Sequence, residues 1–528
     1  MLTEAIQETI ADKVPTTGLG IKAKCWWSKE LKKLQQTANN KGRKASKYKD
    51  WPEHHSHAER QEAHKIFHKS LEYAKRQHWR DWLEKPDDPD IWIAHRYKSN
   101  PAGDGGKTRI PILKLTWAGQ ETTASTNEEK STMLTTTFFL PRPLMEDTLQ
   151  FVYPVPVCVL SNIPREQIKG QLARLKPYKA PGPNGIPNIV LTKCTNILTD
   201  SLYNIYRAIL KFGIYFDPWK LSTMVVLHKP GKPRYNNPKA YGLIGLLNTM
   251  SKILTAIMAE LMTFYTELHH LLPAHHFGGR PGCTTSDAVH LLVHKIKDAW
   301  RKHQVMTVLF LDIEGAFPNT VMSRLLHSMK KRQLPVALIR FAGLMLKNHP
   351  TTLQFDNHTS ETIDLDNRIS QGDLLSMALY QYYNANILEI PNKPQGTVEA
   401  YVDNVILTAS VKTFEEAHEL LADMMARDGG MINWSKMHNS SIEYSKLAFI
   451  DFSHHAVQTV TIKPSTNAKY LGIILNQHLN CGPQLAQVRR KGSKWASQIR
   501  RLARLSWRLT PKAARKLYFT FRLNVCLT

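Results

Sequence analysis

Two aspartates set in apolar runs are the residues of this chain best placed to do chemistry. Asp312 lies in residues 308–320 (VLFLDIEGAFPNT) and Asp403 in residues 399–409 (EAYVDNVILTA). Each follows an apolar or aromatic stretch with the character of a strand, so each carboxylate is expected at or near a strand end. A carboxylate embedded in buried apolar sequence is costly unless it is paired or bound to a cation, and two together suggest one shared cation site. Taken singly, either is more readily an ordinary strand-end or cap residue. Between them, residues 367–377 (NRISQGDLLSM) place a turn at Gln371 and Gly372 ahead of an apolar helix, a geometry suited to backing a base pair or a template strand. Upstream, residues 176–186 (KPYKAPGPNGI) and 228–235 (HKPGKPRY) are basic, Pro/Gly-rich loops able to approach phosphates through side chains and backbone N–H groups. In isolation they are turns.

The elements that must position these residues begin beyond Ser161, where helical stretches alternate with strand candidates at 223–227, 305–312, 400–409 and 448–452. That is an α+β pattern. Residues 26–96 are rich in Lys, Arg, His, Gln and Trp, with Ile66, Leu71, Tyr73, Trp79 and Trp82 at loosely helical spacing. They form a basic helical arm whose tryptophans serve either as its core or as nucleic-acid contacts. Residues 100–107 (NPAGDGGK) are a loop without P-loop spacing, and 119–131 are polar and turn-like. Residues 487–516 are strongly basic, with Trp495, Ile499, Leu502, Leu505 and Trp507 spaced for a helix or two.

Lys and Arg number 70 against 44 Asp and Glu, a formal charge of +26 over 528 residues. Such an excess points to a polyanionic partner such as nucleic acid, although a solvated surface or an anionic membrane could also account for it. The cysteines (Cys25, Cys158, Cys194, Cys283, Cys481, Cys526) form no C-x-x-C pair, which argues against a zinc knuckle and a disulfide framework. Neither a signal peptide nor a long apolar span is legible, so an intracellular protein, nuclear or cytoplasmic, without a membrane segment is expected.

The order of the segments carries more than any one of them. KAPGPNGI, HKPGKPRY, KAYGLIGLLNTMSKIL, FGGRPGCTTSDAV, FLDIEGAF, SQGDLLS, AYVDN, GGMINWSKMHNS and KYLGIIL follow one another in a succession that resembles the reverse transcriptase of non-LTR (LINE-type) retrotransposons, the fungal kind in particular. The resemblance implies a right-hand polymerase with fingers, palm and a partial thumb behind the basic N-terminal arm. It divides the chain into an arm (1–110), an extension and the start of the fingers (111–211), fingers and palm (212–476) and a truncated thumb (477–528). It implies that Asp312, Asp403 and the backbone of Ile313 hold Mg²⁺, with Mn²⁺ as a substitute, for two-metal transfer of a deoxynucleotide onto a DNA primer copied from an RNA template. Phe317 falls where the family excludes a 2′-hydroxyl, Gln371 and Gly372 line the nascent base pair, and Tyr401 packs beneath the primer terminus. Lys229 and Lys232 are triphosphate or template contacts, and Lys446 stands near the leaving pyrophosphate.

The chain departs from the family pattern at several positions. The signature that ordinarily ends in two aspartates reads Tyr401-Val402-Asp403-Asn404, so Asn404 stands in the catalytic set where a carboxylate is usual. Tyr-Arg-Pro-Ile-Ser is replaced by Tyr241-Gly242-Leu243-Ile244-Gly245, Pro-Leu-Ser-Pro by Leu374-Leu375-Ser376-Met377, and an aspartate by Asn386. Two expectations follow: a working RNA-directed DNA polymerase, or a truncated, catalytically impaired retroelement relic that only binds nucleic acid. The family's endonuclease and ribonuclease H are not expected within these residues.

Overall fold

The computed structural model describes residues 1–14, 26–84, 109–117, 120–139, 141, 151–160, 162–229, 232, 234–365, 369–453, 464–504 and 515. Contacts divide the chain into two units, one of Met1–Glu8 with Gly105–Cys481 and one of Thr9–Asp104 with Gly482–Thr528. Helix and strand are mixed as expected. The loop at 100–107 and the tail from 505 to 514 lie outside the described residues.

In the second unit, helices Lys29–Lys47 and His55–Glu84 run antiparallel. Trp27 meets Phe67 at 6.3 Å between ring centroids, and His57 Nε2 lies 2.9 Å from the Tyr48 carbonyl oxygen. The buried face of the first helix is a seven-residue series, Leu31, Ala38 and Ala45, whose small side chains let two backbones approach. The large apolar residues of the second helix do not mark a buried face: Ile66 and Tyr73 are exposed and Leu71 is half-buried. Alanines carry the packing, and a search for large apolar residues does not register them. The side chains of Trp79 and Trp82 lie outside the described residues. Helix Gly482–Arg504 belongs to the same unit.

In the first unit the polar stretch 119–131 is not a turn. Gln120–Ala124 is a strand paired with Leu113–Trp117, and Thr126 caps helix Asn127–Phe138 with Glu129 closing a capping box. The polar residues are there because Thr-x-x-Glu is a helix start. A second sheet joins Tyr241–Leu246, Ser222–His228 and His349–Phe355, the last two parallel. Met224, Val226, Tyr241, Leu243, Leu353 and Phe355 pack there with Leu113 and Leu134.

The sheet that carries the aspartates is antiparallel and centred on Val305–Glu314. On one side lies Asn404–Val411, followed by Gly396–Tyr401; on the other lie Ser441–Ile442 and Ala448–Phe452. Residues 305–311 are all buried, the mark of a strand covered on both faces. Met306, Val308 and Phe310 pack with Val289, Leu292 and Ile296 of helix Thr285–Arg301. On the opposite face Thr307 Oγ1 lies 2.6 Å from Asp451 Oδ1, which also meets His418 of helix Phe414–Ala426. Side chains alternate along a strand, so Asp312 continues the row of Met306, Val308 and Phe310 and is its first polar member.

One expectation needs correction: residues 400–409 are not a single strand. Gly396–Tyr401 and Asn404–Val411 form a hairpin with Val402 and Asp403 as its two-residue turn. Val402, at φ 60°, adopts the positive φ that such turns demand. A β-branched residue is poorly suited to that conformation and reads from sequence as strand.

Candidate active site

Asp312 and Asn404 stand directly opposite each other, and Asn404 is also opposite Tyr401. The Ile313 amide donates to the Asp403 carbonyl oxygen at 2.9 Å, and the Glu443 amide donates to the Asp312 carbonyl oxygen at 2.9 Å. Asp312 therefore spends its backbone bonding on the far edge. It meets Asn404 as a non-hydrogen-bonded pair, the closer kind, with Cα atoms about 4.5 Å apart. The carbonyl of a strand residue shares an edge with its own amide, so the Ile313 carbonyl faces Asp403. Asn404 Nδ2 donates to Asp403 Oδ1 at 3.0 Å. Lys446, from the turn Tyr444–Lys446, makes an ion pair with Asp312 Oδ2.

The turn that presents Asp403 is clamped from beneath. The fully buried Asn384 donates from Nδ2 to the Val402 carbonyl oxygen at 2.7 Å, and its Oδ1 lies 2.7 Å from Nε2 of the buried His276. Burial lowers the His276 pKa to about 4, so this ring is neutral. A Cβ on Gly278 would lie 2.5 Å from the Val402 side chain, so only glycine lets residues 276–279 pass under the hairpin. The Phe277 amide adds a 2.9 Å bond to the Ala400 carbonyl oxygen. An unfavourable φ persists where surrounding structure over-determines it, and these contacts supply that constraint.

Electrostatically the site is short of positive charge. The Asp403 pKa is raised, first by burial and then by Asp312, with its own backbone amide, Asn404 and Lys446 opposing. Burial alone would lower the Lys446 ammonium, but the bond to Asp312 and its charge hold the pKa above its ordinary value. Tyr380, buried near both acids, has a phenol pushed far up by burial, then by Tyr383, Asp403 and Asp312, and its hydroxyl has no partner. Two carboxylates that repel each other, an amide oxygen and a strand-edge carbonyl form an all-oxygen donor set that fits a hard divalent cation. Among the described residues there is no cluster of three or more His, Cys, Asp or Glu side chains able to hold a metal, so a cation here would rely on backbone, amide or substrate oxygens for the rest of its shell.

These shifts give a sign. Because folding raises the Asp403 pKa, its protonated form favours the fold. That contribution is complete below the unfolded value and is lost as pH rises through the folded one. The ionised form of Asp403 is therefore the costly one, and a bound dication would remove that cost. Saturating Mg²⁺ is expected to raise the thermal midpoint by about 2–5 °C at pH 7. The increment should shrink as pH falls toward the carboxylate range and vanish in Asp403→Asn. An equal increment in that variant would place the cation elsewhere.

Residues 227–475 match the family model for the reverse transcriptase (RNA-dependent DNA polymerase). Over those residues the chain is similar to a reverse transcriptase. It is 25% identical over 389 residues to the probable RNA-directed DNA polymerase from transposon BS of Drosophila melanogaster, covering 71% of this chain and 42% of that protein. It is 22% identical over 379 residues to the RNA-directed DNA polymerase from mobile element jockey of the same species, covering 69% and 40%. Both relatives are named for transposable elements, and the chain spans about two fifths of their length. A solved structure, apo telomerase from Candida Tropicalis truncated from the C-terminal domain, aligns with TM-score 0.36 at 9% identity, covering 53% of this chain and 59% of that one.

Within the matched residues, Phe317 packs on Tyr380 at 5.1 Å between centroids. The exposed Gln371 and Gly372 cross the end of the second sheet. The Gly245 amide donates to the Gln371 carbonyl oxygen at 2.8 Å, and a Cβ on Gly372, at φ 127°, would lie 2.7 Å from the Gly245 carbonyl oxygen. Gly245 and Gly372 are thus matched to a close backbone crossing. The stem of Lys229 runs 3.7 Å from where a Cβ on Gly242 would stand. The Lys229 pKa is lowered by burial first and then by Lys232 and Lys446, which puts it within electrostatic reach of the acid pair's lysine, while Lys232 is exposed. Tyr401 is half-buried at the hairpin end. The loop 176–186 packs tightly, since a Cβ on Gly182 would lie 2.3 Å from the Leu247 carbonyl oxygen. Asn386 accepts from Arg332 Nη2 at 3.2 Å.

Reasoning from sequence missed Asn384, His276 and Gly278 as the hairpin's support, and Lys239 with Glu314 beside the acids. A signal existed for Glu314: the D-x-E spacing puts it on the face of Asp312.

Proposed function

We propose that this chain catalyses RNA-directed DNA synthesis, the reverse transcription step of a non-LTR retrotransposon, on an RNA template with a DNA primer. The observation that carries the proposal is the cross-strand register that sets Asp312 against Asn404 with Asp403 on the adjoining turn. In this assignment the acid sheet is the palm and the second sheet belongs to the fingers.

Asp312, Asp403 and the Ile313 carbonyl would hold Mg²⁺, which when bound supplies Lewis acidity to the primer 3′-hydroxyl and to the triphosphate. The primer hydroxyl loses its proton to solvent water, and its oxygen forms a bond to the α-phosphorus as the bond to pyrophosphate breaks. Lys446, kept protonated by Asp312, is a proton source for the departing pyrophosphate. Phe317, backed by the buried Tyr380, is a rigid apolar floor that leaves a ribose 2′-hydroxyl unpaired, so deoxynucleotides are favoured. Lys229 and Lys232 offer charge to phosphates, and Gln371 with Gly372 presents backbone to the base pair.

A second assignment has its own support. Asn404 withholds the carboxylate that would complete the set, and its amide donates to Asp403, so the chain could instead bind nucleic acid through its +26 charge without turnover. Primer extension separates the two. Labelled deoxynucleotide should add to a recessed DNA primer on RNA, and not to a blunt duplex, with ribonucleotides discriminated against. Binding of the primer–template by folded protein without any addition would replace the first assignment with the second.

A further inference from the structure

At one edge of the acid pair, three lysines and three carboxylates converge. Lys239 lies on the short turn Pro238–Ala240 that leads into strand Tyr241–Leu246, and its Nζ is 2.9 Å from Glu314 Oε1 and 3.2 Å from Oε2. Glu314 is two residues beyond Asp312 on the same strand face, so the Lys239–Glu314 pair stands beside the Lys446–Asp312 pair. Lys229 completes the group. Its ammonium donates to the Lys239 carbonyl oxygen at 3.3 Å rather than to a carboxylate, and its charge is disfavoured by burial and by Lys232, Lys446 and Lys239, with Glu314 opposing. Glu443 acts on both Lys239 and Lys446 from nearby. The cluster therefore holds its cations on weak local counter-ions. Both partners of the Lys239–Glu314 pair are more than a third exposed, and pairs of that kind contribute little. A polyphosphate brings several oxygens and more charge to three lysines at once, and a lysine is a mobile point charge that can follow it.

We propose that Lys239 is a polyphosphate-binding residue and that Glu314 is its resting counter-ion: the pair opens when a polyphosphate arrives, and Lys239 exchanges the carboxylate for phosphate oxygens. The exchange rests on the polymerase assignment for its natural ligand, the triphosphate of an incoming nucleotide, but not for its test. No bond is made or broken. The pair spans the acid strand and the entry to the second sheet, so its opening would couple nucleotide arrival to the relation between those two elements.

The test is titration calorimetry of the full chain with inorganic tripolyphosphate at low ionic strength. Lys239→Gln should weaken binding about tenfold, the loss of one charge-assisted contact. Glu314→Gln should tighten it about three- to fivefold by freeing the lysine. The double variant should match Lys239→Gln, because Glu314 acts only through Lys239. Lys169→Gln, which removes a charge from the distant helix Arg165–Arg174, should leave binding unchanged, and thermal midpoints confirm that each variant is folded. Wild-type affinity in Lys239→Gln, weaker binding in Glu314→Gln, or an equal loss in Lys169→Gln would overturn the exchange. In primer extension the KM for deoxynucleotide should follow the same order. If the calorimetric order holds while no variant incorporates nucleotide, the polymerase assignment fails and the exchange stands.

Discussion

Replacing Asp312 or Asp403 with alanine is expected to lower nucleotide incorporation by about 10⁴-fold or more, with primer–template binding kept within a few-fold. In the proposed assignment the two carboxylates are the anionic donors of the site, so removing either would leave a dication with a single charged ligand. Several kcal/mol of transition-state stabilisation is lost in that case, at about 1.4 kcal/mol per factor of ten. The two variants should differ in one respect. Asp312→Ala also releases Lys446, whose ammonium is held by that carboxylate, so an unpaired cation stays in the site. Asp403→Ala leaves the Lys446–Asp312 pair intact but strips the turn of its acid. Steady-state incorporation and primer–template affinity, measured together, check the prediction. Loss of both activities in parallel would indicate misfolding instead.

Asn404→Asp is expected to act in the opposite direction, raising the rate on the order of 10²- to 10⁴-fold if the remainder of the site is sound. The substitution is nearly isosteric, and Asn404 already faces Asp312 in the close kind of cross-strand pair. It would turn a neutral amide into a third carboxylate and remove the donor now given to Asp403. Without a cation, three neighbouring acids repel, so the Asp403 pKa should climb further and the thermal midpoint should fall. With Mg²⁺ the midpoint should recover past the wild-type value. A gain in metal-dependent stability without a gain in rate would shift the defect to Gly242 and its neighbours in the second sheet, beside the Lys229 side chain.

The acids were legible because a carboxylate interrupting a buried apolar strand is rare and expensive, and the order of the surrounding segments added what either acid alone lacked. Strands Ser222–His228, Val305–Glu314 and Ala448–Phe452 fall within a residue or two of their expected ends, since alternation and β-branching agree there. The hairpin turn was not legible. Val402 is a strand-former by type, and its left-handed backbone is imposed by Asn384 and Gly278, far away in sequence. The capping box at Thr126 and Glu129 was readable but lay in a stretch judged by polarity alone. Buried alanines such as Ala38 and Ala45 escaped notice because their role comes from smallness. Lys239 was missed for a different reason: its ion pair with a residue 75 positions away in the chain leaves no local trace.

The most direct test of the central claim is labelled deoxynucleotide incorporation on an RNA template with a DNA primer, comparing wild type with Asp312→Ala, each with Mg²⁺ and with chelator. The account predicts incorporation by wild type with Mg²⁺ alone, and none above background in the other three conditions. Incorporation that persists in Asp312→Ala, or in chelator, would contradict it.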